Sequence, residues 1–203
     1  FAMQYLRRSP AAPAPGIDRD QTLGEEIANA ISHGLGVLLA VAALPILVMR
    51  AVSHGGVADV VAAAVFAATM ILLYGVSTLY HALPRSLWQG RAKEWLLRLD
   101  HAAIYVFIAG SYTPFTLGVL HTGPGLTLLV AVWAAAAFGV AIKLLNRLKH
   151  RFVSTALYLA MGWVVVFAAG PLVTRLPAAG LALLVAGGLS YTLGAFVFLL
   201  DNK

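Results

Sequence analysis

The sequence predicts an all-α protein built as a polytopic bundle of transmembrane helices, and three observations predict it. Of 203 residues 61% are hydrophobic and only 11% are charged, less than half the ~25% charged residues of ordinary soluble domains. The apolar residues arrive in long blocks, and a hydrocarbon core of ~30 Å takes ~20 helical residues to cross. Lys and Arg collect in the short stretches between blocks, where loop cations of membrane proteins belong.

Residues 1–22 are polar and carry Ser9-Pro10-Ala11-Ala12-Pro13-Ala14-Pro15-Gly16. They read as a flexible tail without the apolar core of a cleavable signal peptide. One transmembrane domain, 23–203, follows. Six spans are expected at about 26–49, 57–80, 100–119, 124–145, 153–170 and 178–200. Each break has a local cause: Ser53-His54-Gly55-Gly56, Pro84 onward, His121 to Pro124, the basic run Lys143 to Arg151, and Gly170-Pro171. The fourth span carries Ala134-Ala135-Ala136-Ala137 and Gly139, small residues that let neighbouring backbones approach closely.

Counted on alternate sides of these spans, 12 of the 14 Lys and Arg fall on one side, leaving only Arg50 and Arg175 on the other. The positive-inside rule then makes the N-terminus cytoplasmic and the cell membrane the location. The formal charge of +6 is expected to meet anionic membrane lipids rather than nucleic acid. Cysteine is absent, so a metal would have to bind through imidazole, carboxylate or water.

Ionisable side chains in membrane helices are costly, and each asks for a reason. Ser77 and His81 lie four apart near the end of the second span and share a face. Asp100 stands at the expected start of the third span, on the same side of the membrane. An imidazole, a carboxylate and a hydroxyl can therefore meet at one depth, which suits a metal and its water. A single imidazole falls short of the three protein ligands usual for catalytic zinc. The structural alternative has His81 meeting helix-end carbonyls and Asp100 capping the third span.

Glu26, Asn29 and His33 form a stripe at the start of the first span. They are expected to support the site or bond neighbouring helices rather than to ligate. His54, His121 and His150 read as solvated loop residues, and His101, about 100° from Asp100 around an ideal helix, as a packing or interface residue unless the helix starts late. Trp88, Trp95, Tyr112 and Trp163 read as interface anchors or packing aromatics. Spans three to six show no charged residue before their ends.

Five stretches in order carry a resemblance: Glu26-Ile27-Ala28-Asn29-Ala30-Ile31-Ser32-His33-Gly34, Tyr74-Gly75-Val76-Ser77-Thr78-Leu79-Tyr80-His81, Arg98-Leu99-Asp100-His101-Ala102-Ala103-Ile104-Tyr105, Ala109-Gly110-Ser111-Tyr112-Thr113-Pro114-Phe115, and Tyr158-Leu159-Ala160-Met161-Gly162-Trp163. With them the chain resembles the haemolysin III family, the bacterial branch of the progestin and adipoQ receptor family. The resemblance implies a seven-helix bundle with a cytoplasmic N-terminus and one zinc ion near the cytoplasmic face. It implies His81 as a zinc ligand, with Asp100 and Ser77 holding zinc-bound water. Two further histidine ligands are implied on a seventh helix, and Asp201-Asn202-Lys203 reads as the loop leading into it, so a truncated sequence is expected.

The functional expectation is a zinc-dependent membrane hydrolase of lipid amides or esters. A receptor-like sensor or regulator of membrane homeostasis is the alternative, and a cytolysin or pore former a lesser one.

Overall fold

The computed structural model describes residues 21–83, 91–121, 125–148 and 150–200, and six of its helices are long and apolar enough to cross a membrane. We number these spans α1 (Leu23–His54), α2 (Val57–Ala82), α3 (Arg91–Val119), α4 (Gly125–Leu144), α5 (Arg151–Arg175) and α6 (Ala178–Leu200). The described residues contain no strand. Apart from Gln21 and Thr22, the expected tail lies outside them, as do Trp88, the Pro84 break and Asp201-Asn202-Lys203.

Local chemistry sets several ends. Thr22 caps α1 in a reciprocal box: its hydroxyl accepts from the Glu25 amide at 3.3 Å while Glu25 accepts from the Thr22 amide at 2.7 Å. Gly55 and Gly56 are both extended and separate α1 from α2. Past α4, Asn146 adopts φ 55°, and its amide donates to the Lys143 carbonyl. Asparagine tolerates this left-handed geometry better than most residues.

Three boundaries differ from the sequence expectation. α1 runs on through Ser53 to His54 rather than ending near residue 49, so His54 belongs to its last turn and not to a loop. α3 begins at Arg91, not near Asp100; Arg91-Ala92-Lys93-Glu94 are good helix formers but too polar to register in a count of apolar residues. Asp100 consequently lies inside α3 and does not cap it. Gly170-Pro171 does not end α5. Val164–Ala168 tighten to a 3₁₀ turn and α-helix resumes over Ala169–Arg175. Pro171 thereby falls in the first turn of the resumed segment, where a missing N–H is tolerated.

The Tyr112 hydroxyl holds this break together. Its single proton faces the carbonyls of Met161 at 2.8 Å and Gly162 at 2.7 Å, and its oxygen accepts from the Val165 amide at 2.8 Å. Tyr112 is thus a packing residue rather than an interface anchor. Tyr112→Phe should lower stability by about 1–3 kcal/mol, the cost of stranding buried polar groups, read from unfolding in detergent. An unchanged midpoint would mean that α5 keeps its break unaided.

α3 is the central helix, burying residues against α2, α4 and α5. α4 buries Val132, Ala136, Gly139 and Lys143, the first two in one core cluster with Tyr105, Ile108, Ala109 and Tyr112 of α3. Of the expected small-residue run, Ala136 is buried while Ala134 and Ala137 face outward, because a helix turns only one stripe inward. A Cβ on Gly139 would strike the Tyr105 ring, so glycine is what permits this close crossing. α1 and α6 lie at the edges: α1 buries only Ala40 and α6 nothing.

Candidate functional site

The site begins with two polar contacts between α1 and α2. His81, in the last turn of α2, places Nδ1 2.6 Å from Glu26 Oε2. A carboxylate only accepts, so Nδ1 carries the proton. Both side chains are largely buried, at 7% and 12% exposure, where such a charge-assisted bond gains strength. One helical turn earlier, buried Ser77 shares a 2.7 Å hydrogen bond between its Oγ and His33 Nδ1. The two imidazoles stand edge to face with centroids 5.8 Å apart.

Lys93 closes this arrangement from α3. Its ammonium donates to the Tyr80 carbonyl and, at 3.1 Å, to the Leu83 carbonyl, lies over the Tyr80 ring, and sits 3.9 Å from Glu26 Oε1. The carbonyls at the end of α2 are therefore met by Lys93, and His81 turns to Glu26 instead. Lys93→Met should cost about 1–3 kcal/mol by leaving those carbonyls and the Glu26 carboxylate short of a donor. Thermal unfolding in detergent measures it, and a stability equal to the parent chain would show that Lys93 does not tie α2 to α3.

His33, Ser77, His81 and Asp100 line one cavity of about 600 Å³. Asn29 lines it too, but its amide donates to Gln21 at 3.0 Å and not to another span. Glu26 stands behind His81. His101 also lines the cavity, and its carbonyl accepts from the Tyr158 hydroxyl at 3.0 Å. The cavity extends from α2 to α5 and α6, so two faces of α3 about 100° apart both border it. His54, His121 and His150 are exposed.

The cavity also holds residues that the sequence analysis missed. Lys143 and Arg151, counted there as loop cations, are 8% and 5% exposed and line the cavity with Ser154, Thr155 and Tyr158. Arg151, Ser154, Thr155 and Tyr158 recur at i, i+3, i+4 and i+7, a one-face pattern legible in the sequence. It went unread because Arg151 closes a basic run.

The donor chemistry can be tested against zinc. His81 suits one ligand: a ligating imidazole characteristically gives its other N–H to a carboxylate, and Glu26 takes Nδ1–H, which leaves Nε2 for an ion. Among the described residues, however, no three His, Asp or Glu side chains gather closely enough to hold a metal. The described side chains fit part of a zinc site and do not complete one.

Comparison with known proteins follows the same course along the chain. Residues 21–202 match the family model described as Haemolysin-III related. The chain is 43% identical over 178 residues to the Hemolysin-3 homolog of Bacillus subtilis (strain 168), covering 88% of this chain and 82% of that protein. It is 42% identical over 182 residues to Hemolysin-3 of Bacillus cereus, with 90% and 81% covered. The human Monocyte to macrophage differentiation factor is 31% identical over 197 residues, with 94% and 78% covered. No solved structure gives a significant match.

Proposed function

Given that the chain belongs to the haemolysin III family, we propose that its cavity is part of a zinc-dependent site that hydrolyses a lipid amide or ester at the cytoplasmic face of the cell membrane. The observation that carries this reading is the carboxylate–imidazole pair Glu26–His81 beside a cavity that Asp100 and Ser77 also line. In this reading the remaining zinc ligands come from outside the described residues.

The chain's own groups would divide the work as follows. Glu26 fixes the His81 tautomer and ring orientation, leaving Nε2 as the ligand. Asp100 is the general base that takes a proton from the attacking water and then delivers it to the leaving group. Ser77, held by His33, orients that water. The apolar wall formed by Leu73, Leu97 and Ile104 takes the acyl chain. Zinc, when bound, would supply Lewis-acid character and make hydroxide available near neutral pH.

Full-length protein in lipid nanodiscs tests the proposal by metal analysis and by release of fatty acid from a ceramide-type amide and a phospholipid ester. Bound zinc together with catalytic release is expected. Folded protein that holds zinc and releases no acid from either would reject hydrolysis.

A non-enzymatic sensor of membrane state is the second reading. What favours it is that His81–Glu26 and His33–Ser77 already latch α1 to α2, as a purely structural polar pair would. A cytolysin, suggested by two relatives' names, suits the chain less well, because six long spans with exposed apolar faces belong to a resident membrane protein.

A further inference from the structure

The α6 side of the cavity is shaped by four residues, Tyr191, Gly194, Ala195 and Phe198. Their spacing of i, i+3, i+4 and i+7 puts them on one helix face. Two rings therefore bracket the two smallest side groups, and both rings are fixed from α5. The Tyr191 ring packs on Gly162, where an added Cβ would come within 3.0 Å of it. Phe198 is held against Arg151, whose guanidinium lies 4.6 Å from the ring centroid. Between the rings lies a notch about one helical turn high, with Gly194 and Ala195 as its floor.

Gly194 is the informative member. Glycine inside a helix is less stable than alanine, so its presence there asks what a side chain would obstruct. For Gly36, Gly110 and Gly139 the answer is packing: a Cβ on each would strike Tyr74, Thr69 and Tyr105 in turn. A Cβ on Gly194 would meet nothing within 4 Å, and among the described glycines with such open space only Gly194 lines the cavity. The room it leaves is therefore not filled by any described side chain. Nor is it part of a core, since α6 buries no residue.

We infer that the notch seats one acyl chain of the lipid that enters the cavity, and that Gly194 sets the length of chain accepted. The seat rests on the proposed reading only in taking the cavity as a lipid site, and it holds for a hydrolase or a sensor. An acyl chain suits the notch because its floor is apolar and belongs to a membrane span, where the bilayer supplies the ligand. Capacity agrees. A cavity of ~150 Å³ holds benzene, on the order of 25 Å³ per carbon. At about 600 Å³ this cavity takes roughly two dozen such atoms, enough for one long chain and its polar linkage. The ring introduced by Gly194→Phe would occupy roughly a quarter of that space.

The test is competition binding to the full-length protein in nanodiscs, with a fluorescent octadecanoyl amide displaced by N-acylethanolamines and by lysophosphatidylcholines of eight to eighteen carbons. Affinity is taken per mole fraction in the membrane, so that partitioning of the longer chains cancels. In the parent protein at least one series should tighten with chain length. Gly194→Phe should weaken its eighteen-carbon member by roughly tenfold, the effect of overfilling a packed space, and its eight-carbon member by less than about threefold. Gly187→Phe puts the same ring in open space on α6 outside the cavity and should leave the parental profile. Absence of binding by the parent, equal weakening of every length by Gly194→Phe, or the same change from Gly187→Phe would each overturn the seat. A lowered unfolding midpoint in Gly194→Phe with an unchanged profile would show that a segment of protein fills the notch, which overturns it too. Should Gly194→Phe fail to fold, Gly194→Leu with a parental midpoint decides, and an unchanged profile there overturns the inference. Fatty-acid release on the same samples keeps the two readings apart: length selection without release rejects hydrolysis alone, and release whose length dependence ignores Gly194→Phe rejects the seat alone.

Discussion

His81→Ala is expected to empty the protein of zinc. On the proposed reading this removes the one imidazole whose Nδ1–H is backed by a carboxylate; His33, the neighbouring imidazole, meets only the Ser77 hydroxyl through Nδ1 and so lacks that support. Glu26→Gln separates ligation from support. It keeps the imidazole but replaces the charged acceptor 2.6 Å from Nδ1, and changes at such supporting residues cost about 10–100-fold in metal affinity. The expected order of zinc affinity is therefore parent, then Glu26→Gln, then His81→Ala. Metal content after dialysis against graded chelator measures it. Because Glu26 keeps Lys93 at 3.9 Å as a partner, the His81 variant should remain folded, and its unfolding midpoint checks this. A folded His81→Ala that retains parental zinc would remove His81 from the site.

The second large effect belongs to Asp100. Asp100→Asn preserves the size and most hydrogen bonds of the side chain but abolishes its basicity. Turnover should fall by about 10²–10⁴-fold, the usual contribution of a positioned general base, with zinc retained. Single-turnover fatty-acid release beside metal analysis reads both quantities on one sample. Asp100→Ala then addresses the sensor reading. If that variant binds zinc and preserves every physiological response, proton transfer at Asp100 is not how the protein acts.

Both predictions use residues found by spacing. Ser77 and His81 share a face because helices repeat every 3.6 residues, and a helix ending near Ala82 brings them close to the start of the next. The structure adds what spacing could not give. Which residue each imidazole meets depends on the rotation of α1 against α2: His81 meets Glu26, 55 positions away, and His33 meets Ser77. The burial of Lys143 left no trace in the sequence, because a basic residue at a helix end looks the same whether it faces loop water or turns inward; the repeat of Arg151 with Ser154, Thr155 and Tyr158 marks a shared face but not which way that face turns.

The amino-acid sequence alone determined that the described residues form a bundle of six apolar helices with polar groups near their ends, because hydrophobic length and helical period are local properties. It also carried the family resemblance, which is a matter of ordered residues. Tertiary structure alone decided that α3 is the central helix, that Asp100 and His101 border one cavity, and that a cationic cluster from α4 and α5 lines it. Those facts depend on how helices are rotated and how closely they cross, as where Gly139 admits the Tyr105 ring. Rotation and approach are set by contacts between residues far apart in the chain, which no local pattern encodes.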